Sequence, residues 1–292
     1  MAASDAEWQN VRTFGYAAGV LSPIVMVAAS AATAAIGAVG GLGGAVLLVP
    51  FLVVAGVPPA QAAPLGLVSV AAGSVAAGAR QLADRSVNHR VGVSVELAAT
   101  VGAVVGALVS GVVSERVLVV VLAMVALAAA VMSGRRAGEH AGPDPDFGPD
   151  DVGERVGGLS GVYPLGSVMV PYRVERLPLG LAFMGLAGLV AGTAGASGGF
   201  IKTPAMTEIM HVPTKVAAST TTFTIGITSA AALAVFAVQG RLDAVVSASV
   251  VFGALGGGWI GAHLQSRLSP DWIRRGLALI LVVVAAVLLV SA

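Results

Sequence analysis

Apolar residues run along this chain in long blocks separated by short polar turns, and the block lengths set the fold class. The first group lies near 16–37, 44–56, 62–79, 91–113 and 116–133; the second lies near 178–194, 199–210, 216–238, 244–262 and 272–291. Most are close to the ~20 residues that cross a hydrocarbon core of ~30 Å. The pattern predicts an all-α, polytopic membrane protein with about eight to ten membrane segments, five apolar segments in each half. The blocks at 44–56 and 199–210 are short. At ~1.5 Å per residue, 44–56 reaches only about 20 Å. If these two segments re-enter instead of crossing, the span count changes and a parallel arrangement of the halves becomes possible.

Composition agrees. The 292 residues are 57% hydrophobic and 11% charged, with a mean hydropathy of +0.92, which excludes an ordinary soluble domain. Such a chain belongs in the cell membrane as a multi-pass protein, with the lipid bilayer around it, and it could form a homo-oligomer. The absence of cysteine excludes disulfides and thiolate metal sites, and a net charge of +1 gives no reason to expect nucleic acid. The first block follows Arg12 without a convincing cleavage site, so it reads as a retained helix, not a signal peptide.

Polar content divides the chain into a first transmembrane repeat (1–133), a hydrophilic linker (134–176) and a second repeat (177–292). Inside the linker, Gly142 to Asp151 is an acidic Pro/Gly stretch that cannot bury a core. Val162-Tyr163-Pro164 and Val168 to Tyr172 suit a short surface hairpin folded back on the membrane part. A connector role is the plain expectation for this segment.

The two halves repeat a phrase. Gly41-Leu42-Gly43-Gly44-Ala45 leads to Pro50, and Gly195-Ala196-Ser197-Gly198-Gly199 leads to Pro204. Pro204 minus Pro50 is an offset of 154, as is Pro213 minus Pro59; Gly261 minus Gly106 gives 155. Glycine breaks placed alike in two apolar halves mark transporters built from repeats. Arginines crowd one connection of each half: Arg80, Arg85 and Arg90 in the first, Arg267, Arg274 and Arg275 in the second. Those connections are not equivalent, so the loop charges point to inverted repeats, with Arg135 and Arg136 inside.

Glycine lets the backbone leave helical geometry, and proline removes a donor a turn or two later. Freed N–H groups in hydrocarbon cost several kcal/mol each unless they face protein or a wet cavity. Aimed inward at a helix N-terminus, they make an anion site. Gly43, Gly44, Gly198 and Gly199 are therefore candidate substrate-binding positions, while Gly37, Gly102 and Gly257 read as helix-packing glycines. The chain has two lysines, Lys202 and Lys215, both near the second break. Lys202 lies inside an apolar block, where a charge costs ~2.5–3.5 kcal/mol. It calls for a partner, with Glu208, His211 or a bound anion as candidates; the alternative is snorkelling to the interface. Ser197, Thr203, Ser219 and Thr220 are candidate neutral donors to an oxyanion, with Ser69, Ser74 and Gln61 secondary. Glu208 and His211, three apart, are candidates for proton coupling. Glu96, near the start of its block, reads as interfacial. No cofactor or metal is implied.

The two Gly-x-(Gly/Ser)-Gly-(Gly/Ala)-x-x-x-x-Pro copies, Ala218-Ser219-Thr220-Thr221, and Leu242-Asp243 after a Gly-Arg turn resemble the TauE/SafE sulfite exporter family. The resemblance covers nearly all of the chain except the acidic linker. It implies movement of small inorganic or organosulfur anions, sulfite or sulfonates, across the cytoplasmic membrane. The paired breaks add a secondary transporter working by alternating access, and an enzyme is disfavoured because the apolar segments hold no His/Asp/Glu cluster or nucleophile–base pair. Ala45, in place of the last glycine of the first motif, departs from the pattern. An anion channel using the same breaks as a filter is the other reading.

Overall fold

The computed structural model describes residues 22–40, 43–83, 86–134, 158–165, 168–265 and 270–291. The first block's opening residues, the acidic stretch at 142–151 and the side chains of Arg80, Arg85, Arg135, Arg136, Arg267, Arg274 and Arg275 lie outside the described residues.

Ten helices lie among the described residues: α1 (Pro23–Gly40), α2 (Ala45–Val54), α3 (Pro59–Ala83), α4 (His89–Ser110) and α5 (Glu115–Gly134), then α6 (Leu177–Ala194), α7 (Gly199–Pro204), α8 (Thr214–Val238), α9 (Ala244–Gln265) and α10 (Pro270–Ser291). α7 runs on into a wider π-helical turn, Ala205–Ile209. Between α5 and α6 stands a two-stranded antiparallel hairpin, β1 (Gly161–Leu165) and β2 (Val168–Tyr172), with Tyr163 opposite Val170. Every apolar block of the sequence carries a helix. Among the described residues, α3, α4, α6, α8 and most of α9 are long and apolar enough to cross a membrane. The chain is a multi-pass membrane protein.

Local chemistry fixes the ends. Asn88 caps α4 by accepting the Val91 N–H (3.1 Å), and Asp243 Oδ1 accepts from Val245 (2.9 Å) and Val246 (3.0 Å) to open α9. α2 covers about 15 Å, half the thickness of a hydrocarbon core.

Packing is reciprocal. α1 lies along α9 and α6 lies along α4; α3 also meets α9, and α8 also meets α4. α3 packs against α8, and α5 against α10. Small residues make the closest of these contacts. A Cβ at Gly102 would collide with the backbone of Gly185, and one at Gly257 with that of Ala31. In lipid, where apolar side chains gain little by leaving one another's company, close backbone approach is what holds helices together. α4 shows the result: Val95, Ala99, Ala103 and Ala107 are buried, whereas Val93, Leu97, Val101 and Leu108 point outward. The outward positions carry Val and Leu, whereas the face against protein is mostly alanine and glycine.

The hairpin closes over one end of this bundle. Tyr163, Val170 and Tyr172 join a buried cluster with Val91, Met206, Met210 and Val216. Asn88 Nδ2 donates to the Leu159 carbonyl (2.9 Å) and to the Tyr172 hydroxyl (2.6 Å). The hairpin therefore folds back on the membrane part, and the asparagine that caps α4 is what fastens it.

Candidate functional site

Two glycine-led turns approach each other in the bundle. After α1 the chain enters α2 through Gly43, at φ +80°; after α6 it leaves through Gly195, at φ +67°. Both angles are in the region that favours glycine. A Cβ at Gly43 would stand 2.7 Å from Ser197 Oγ, so the first turn rests directly on the second. Gly195 lies against the backbone of Ala63. Ser197 is buried, and its Oγ accepts the Gly199 N–H (3.2 Å), which starts α7. Gly44, Gly198 and Gly199 are buried as well.

Beside the first turn is a cavity of about 20 Å³, lined in part by Gly43, Gly44, Ser69, Ser74, Thr222 and Gly258. That is room for about one water molecule. Ser69 Oγ is buried there without a hydrogen-bond partner among the described residues, as is Thr203 Oγ1 beside the second turn.

Lys202, one turn into α7, is fully buried. Its Nζ donates to Glu96 Oε2 (2.8 Å) and to Thr228 Oγ1 (2.6 Å), and the Thr228 hydroxyl donates to the other carboxylate oxygen, Glu96 Oε1. Three side chains from three helices close a ring in which both charges are satisfied. The sequence places Glu96 at an interface and offers Glu208 and His211, besides a bound anion, as side-chain partners of Lys202. Both expectations are corrected: Glu96 is 3% exposed and is the partner. It turns inward because α4 presents it on the same side as Val95 and Ala99. One signal was available. Glu96 is the only acidic residue in its apolar block, and an intramembrane carboxylate facing an intramembrane ammonium neutralises it at least cost. The partnership of Thr228 left no such trace.

The remaining candidates lie elsewhere. Glu208 is exposed, and His211 Nδ1 lies 2.9 Å from Glu175 Oε2. Lys215 is exposed at the start of α8. Ser219 and Thr220 are buried against the loop that precedes α4: the Ser86 and Ser219 hydroxyls are 2.9 Å apart, and the Asn88 N–H donates to Thr220 Oγ1 (3.0 Å). Thr222 and Thr224 bond back to carbonyls of their own helix. Outside this layer, Ser86, Asn88, His89, Arg90, Ser160 and Tyr172 line part of an open cleft of about 310 Å³.

Neither the curated proteins nor the solved structures compared with the chain include a match. The family model described as Sulfite exporter TauE/SafE matches residues 25–288, from α1 to the last turn of α10. With nearly its whole length matched, the chain belongs to the sulfite exporter TauE/SafE family of membrane transporters.

Proposed function

We propose that this protein is a secondary transporter that carries a small sulfur-containing anion, of the sulfite or organosulfonate class, across the cytoplasmic membrane by alternating access. The observation that carries the reading is the fully buried ammonium of Lys202, one turn after the Gly198-Gly199 pair. An ammonium, the Gly198 amide and nearby hydroxyls are donors an oxyanion needs, and the Gly199 amide joins them if it leaves Ser197 Oγ. Gly43, Gly44, Ser197, Gly198, Gly199, Lys202 and Thr203 form the binding region in this reading. Ser219 and Thr220 link it to the cleft beside Arg90, which serves as the entrance. A buried charge suits an occluded carrier better than an open pore.

The moving parts are two related halves, 1–133 and 177–292, joined by the linker. Two features support this: the repeated glycine phrase and the exchange of partners in which α1 meets α9 while α6 meets α4. The interrupted segments α1–α2 and α6–α7 are then the broken helices around which the halves rock.

The test is counterflow of labelled sulfite in liposomes holding the purified chain. Lys202→Ala combined with Glu96→Gln, which leaves no stranded carboxylate, is expected to abolish saturable exchange in protein that still elutes as one species. Glu96→Gln alone is run beside it. Exchange that survives without the ammonium would remove Lys202 from the site, and unitary currents would replace the carrier with a channel.

A further inference from the structure

The carboxylate that holds Lys202 occupies the place an anionic substrate would need, and this has a consequence for charge balance. We infer that Glu96 is the proton-coupling group of the transporter: an anion that takes Lys202 displaces the Glu96 carboxylate, which takes up one proton, so anion and proton move together. The inference rests on the transporter reading above and specifies what drives it.

In the structure the ring of Lys202, Glu96 and Thr228 holds one positive and one negative charge and is closed to water. An incoming anion would put two negative charges around one ammonium. An unpaired ionised carboxylate in an apolar interior is so costly that such a group gives up its charge instead. The proton comes from water on the side open at that moment and settles on a Glu96 oxygen. The ring goes from ammonium plus carboxylate to ammonium plus anion plus neutral acid, and its net charge is unchanged for a singly charged guest. Release on the other side reverses the exchange. The stoichiometry is one proton for each anion held by Lys202.

Thr228 suits both states. A hydroxyl donates and accepts, so it can give its proton to the Glu96 carboxylate and later accept one from the neutral acid. Few other charges compete. Among the described residues, α6, which packs along α4, has no titratable side chain; α8 has Lys215, which is exposed; the π-helical turn after α7 has Glu208, also exposed; and His89 and Arg90 stand at the aqueous start of α4. Positions related by the repeat offset sharpen the assignment. Lys202 minus 154 is Leu48, and Glu96 plus the 155 that relates Gly106 to Gly261 is Val251; Leu48 is fully buried in an apolar cluster, and Val251 packs against that same cluster. One of two equivalent places has a charge pair and the other has none, which gives a single coupling site.

The test uses methanesulfonate and ethanesulfonate, which stay singly charged from about pH 5 to about pH 8, whereas sulfite titrates within that range. The full chain in detergent is titrated with each anion in weak buffer containing a pH indicator. Wild type is expected to bind more tightly as pH falls and to take up protons on anion addition. Glu96→Gln should bind with a flat pH profile and no proton uptake, while Glu96→Asp restores both. A sloping profile with proton uptake in Glu96→Gln would overturn the assignment, as would their transfer to Glu208→Gln. If Glu96→Gln does not fold, the wild-type infrared difference spectrum decides. A protonated-carboxyl C=O band must appear on anion addition, and its absence overturns the inference. Failure of the transporter reading is separately visible, because wild type would then show no counterflow of any of these anions.

Discussion

Lys202 Nζ lies 2.8 Å from Glu96 Oε2, and the two residues are separated by 106 positions, the acidic linker and the whole of α6. Neither side chain has meaningful contact with solvent. Such a pair is weak evidence for stability, because desolvating two ions offsets most of their attraction. Breaking it is another matter, since the survivor stays buried and uncompensated. Its place in the bundle is one turn beyond the meeting of two glycine turns.

That asymmetry gives a double-mutant prediction. Lys202→Met alone strands the carboxylate and is expected to cost about 3–5 kcal/mol. Adding Glu96→Leu should return most of the loss, because an apolar pair resembling Leu48 and Val251 then fills the space. Unfolding in detergent, followed by near-ultraviolet dichroism, measures both. Additive losses would mean that the two side chains are not coupled in solution.

Much of this fold was legible in the sequence because the bilayer permits little else. Apolar blocks of spanning length must be helical when no water is present to satisfy backbone groups. The hairpin at Gly161–Tyr172 was legible too, since Val162-Tyr163 and Val168 to Tyr172 are rich in β-branched and aromatic residues. The ring of Lys202, Glu96 and Thr228 was only half legible. Lys202 announced itself as an expensive charge, but its partner depends on how α4 rotates about its axis, which is set by small-residue packing against α6. Hydropathy carries no such information. Ser219 and Thr220 illustrate the same limit: their composition says donor, while the loop at 86–88 decides what they meet.

The contact between the two turns makes Gly43 sensitive. Its φ of +80° costs an L side chain about 1–2 kcal/mol, and a Cβ would press on Ser197 Oγ at 2.7 Å. Gly43→Ala is expected to lower the unfolding free energy by about 1–3 kcal/mol. Ser197→Gly in the same chain should recover the steric part but not the conformational part. Glycine at 44 faces a different neighbour, Ala34, so Gly44→Ala should gain nothing from Ser197→Gly. Thermal unfolding of the four variants separates these effects, and equal rescue of both alanines would contradict the packing of Gly43 on Ser197.

The hairpin offers a pH prediction outside the membrane-spanning helices. Burial pushes the Tyr172 hydroxyl up from 10.0 to about 12, although the Asn88 hydrogen bond pulls the other way. In the unfolded chain the phenol ionises near its ordinary value, so from about pH 10 the unfolded state binds fewer protons than the folded state. Stability that is fully present below pH ~10 is therefore lost as pH rises toward ~12, by an amount on the order of 2–3 kcal/mol. Tyr172→Phe should start lower, because Asn88 Nδ2 loses an acceptor, yet decline less across that window. Unfolding midpoints of both proteins, with tyrosinate absorbance recorded alongside, would reveal the difference. Parallel declines would mean that Tyr172 titrates in the folded protein as it does in the open chain, and that the hairpin does not hold its hydroxyl out of water.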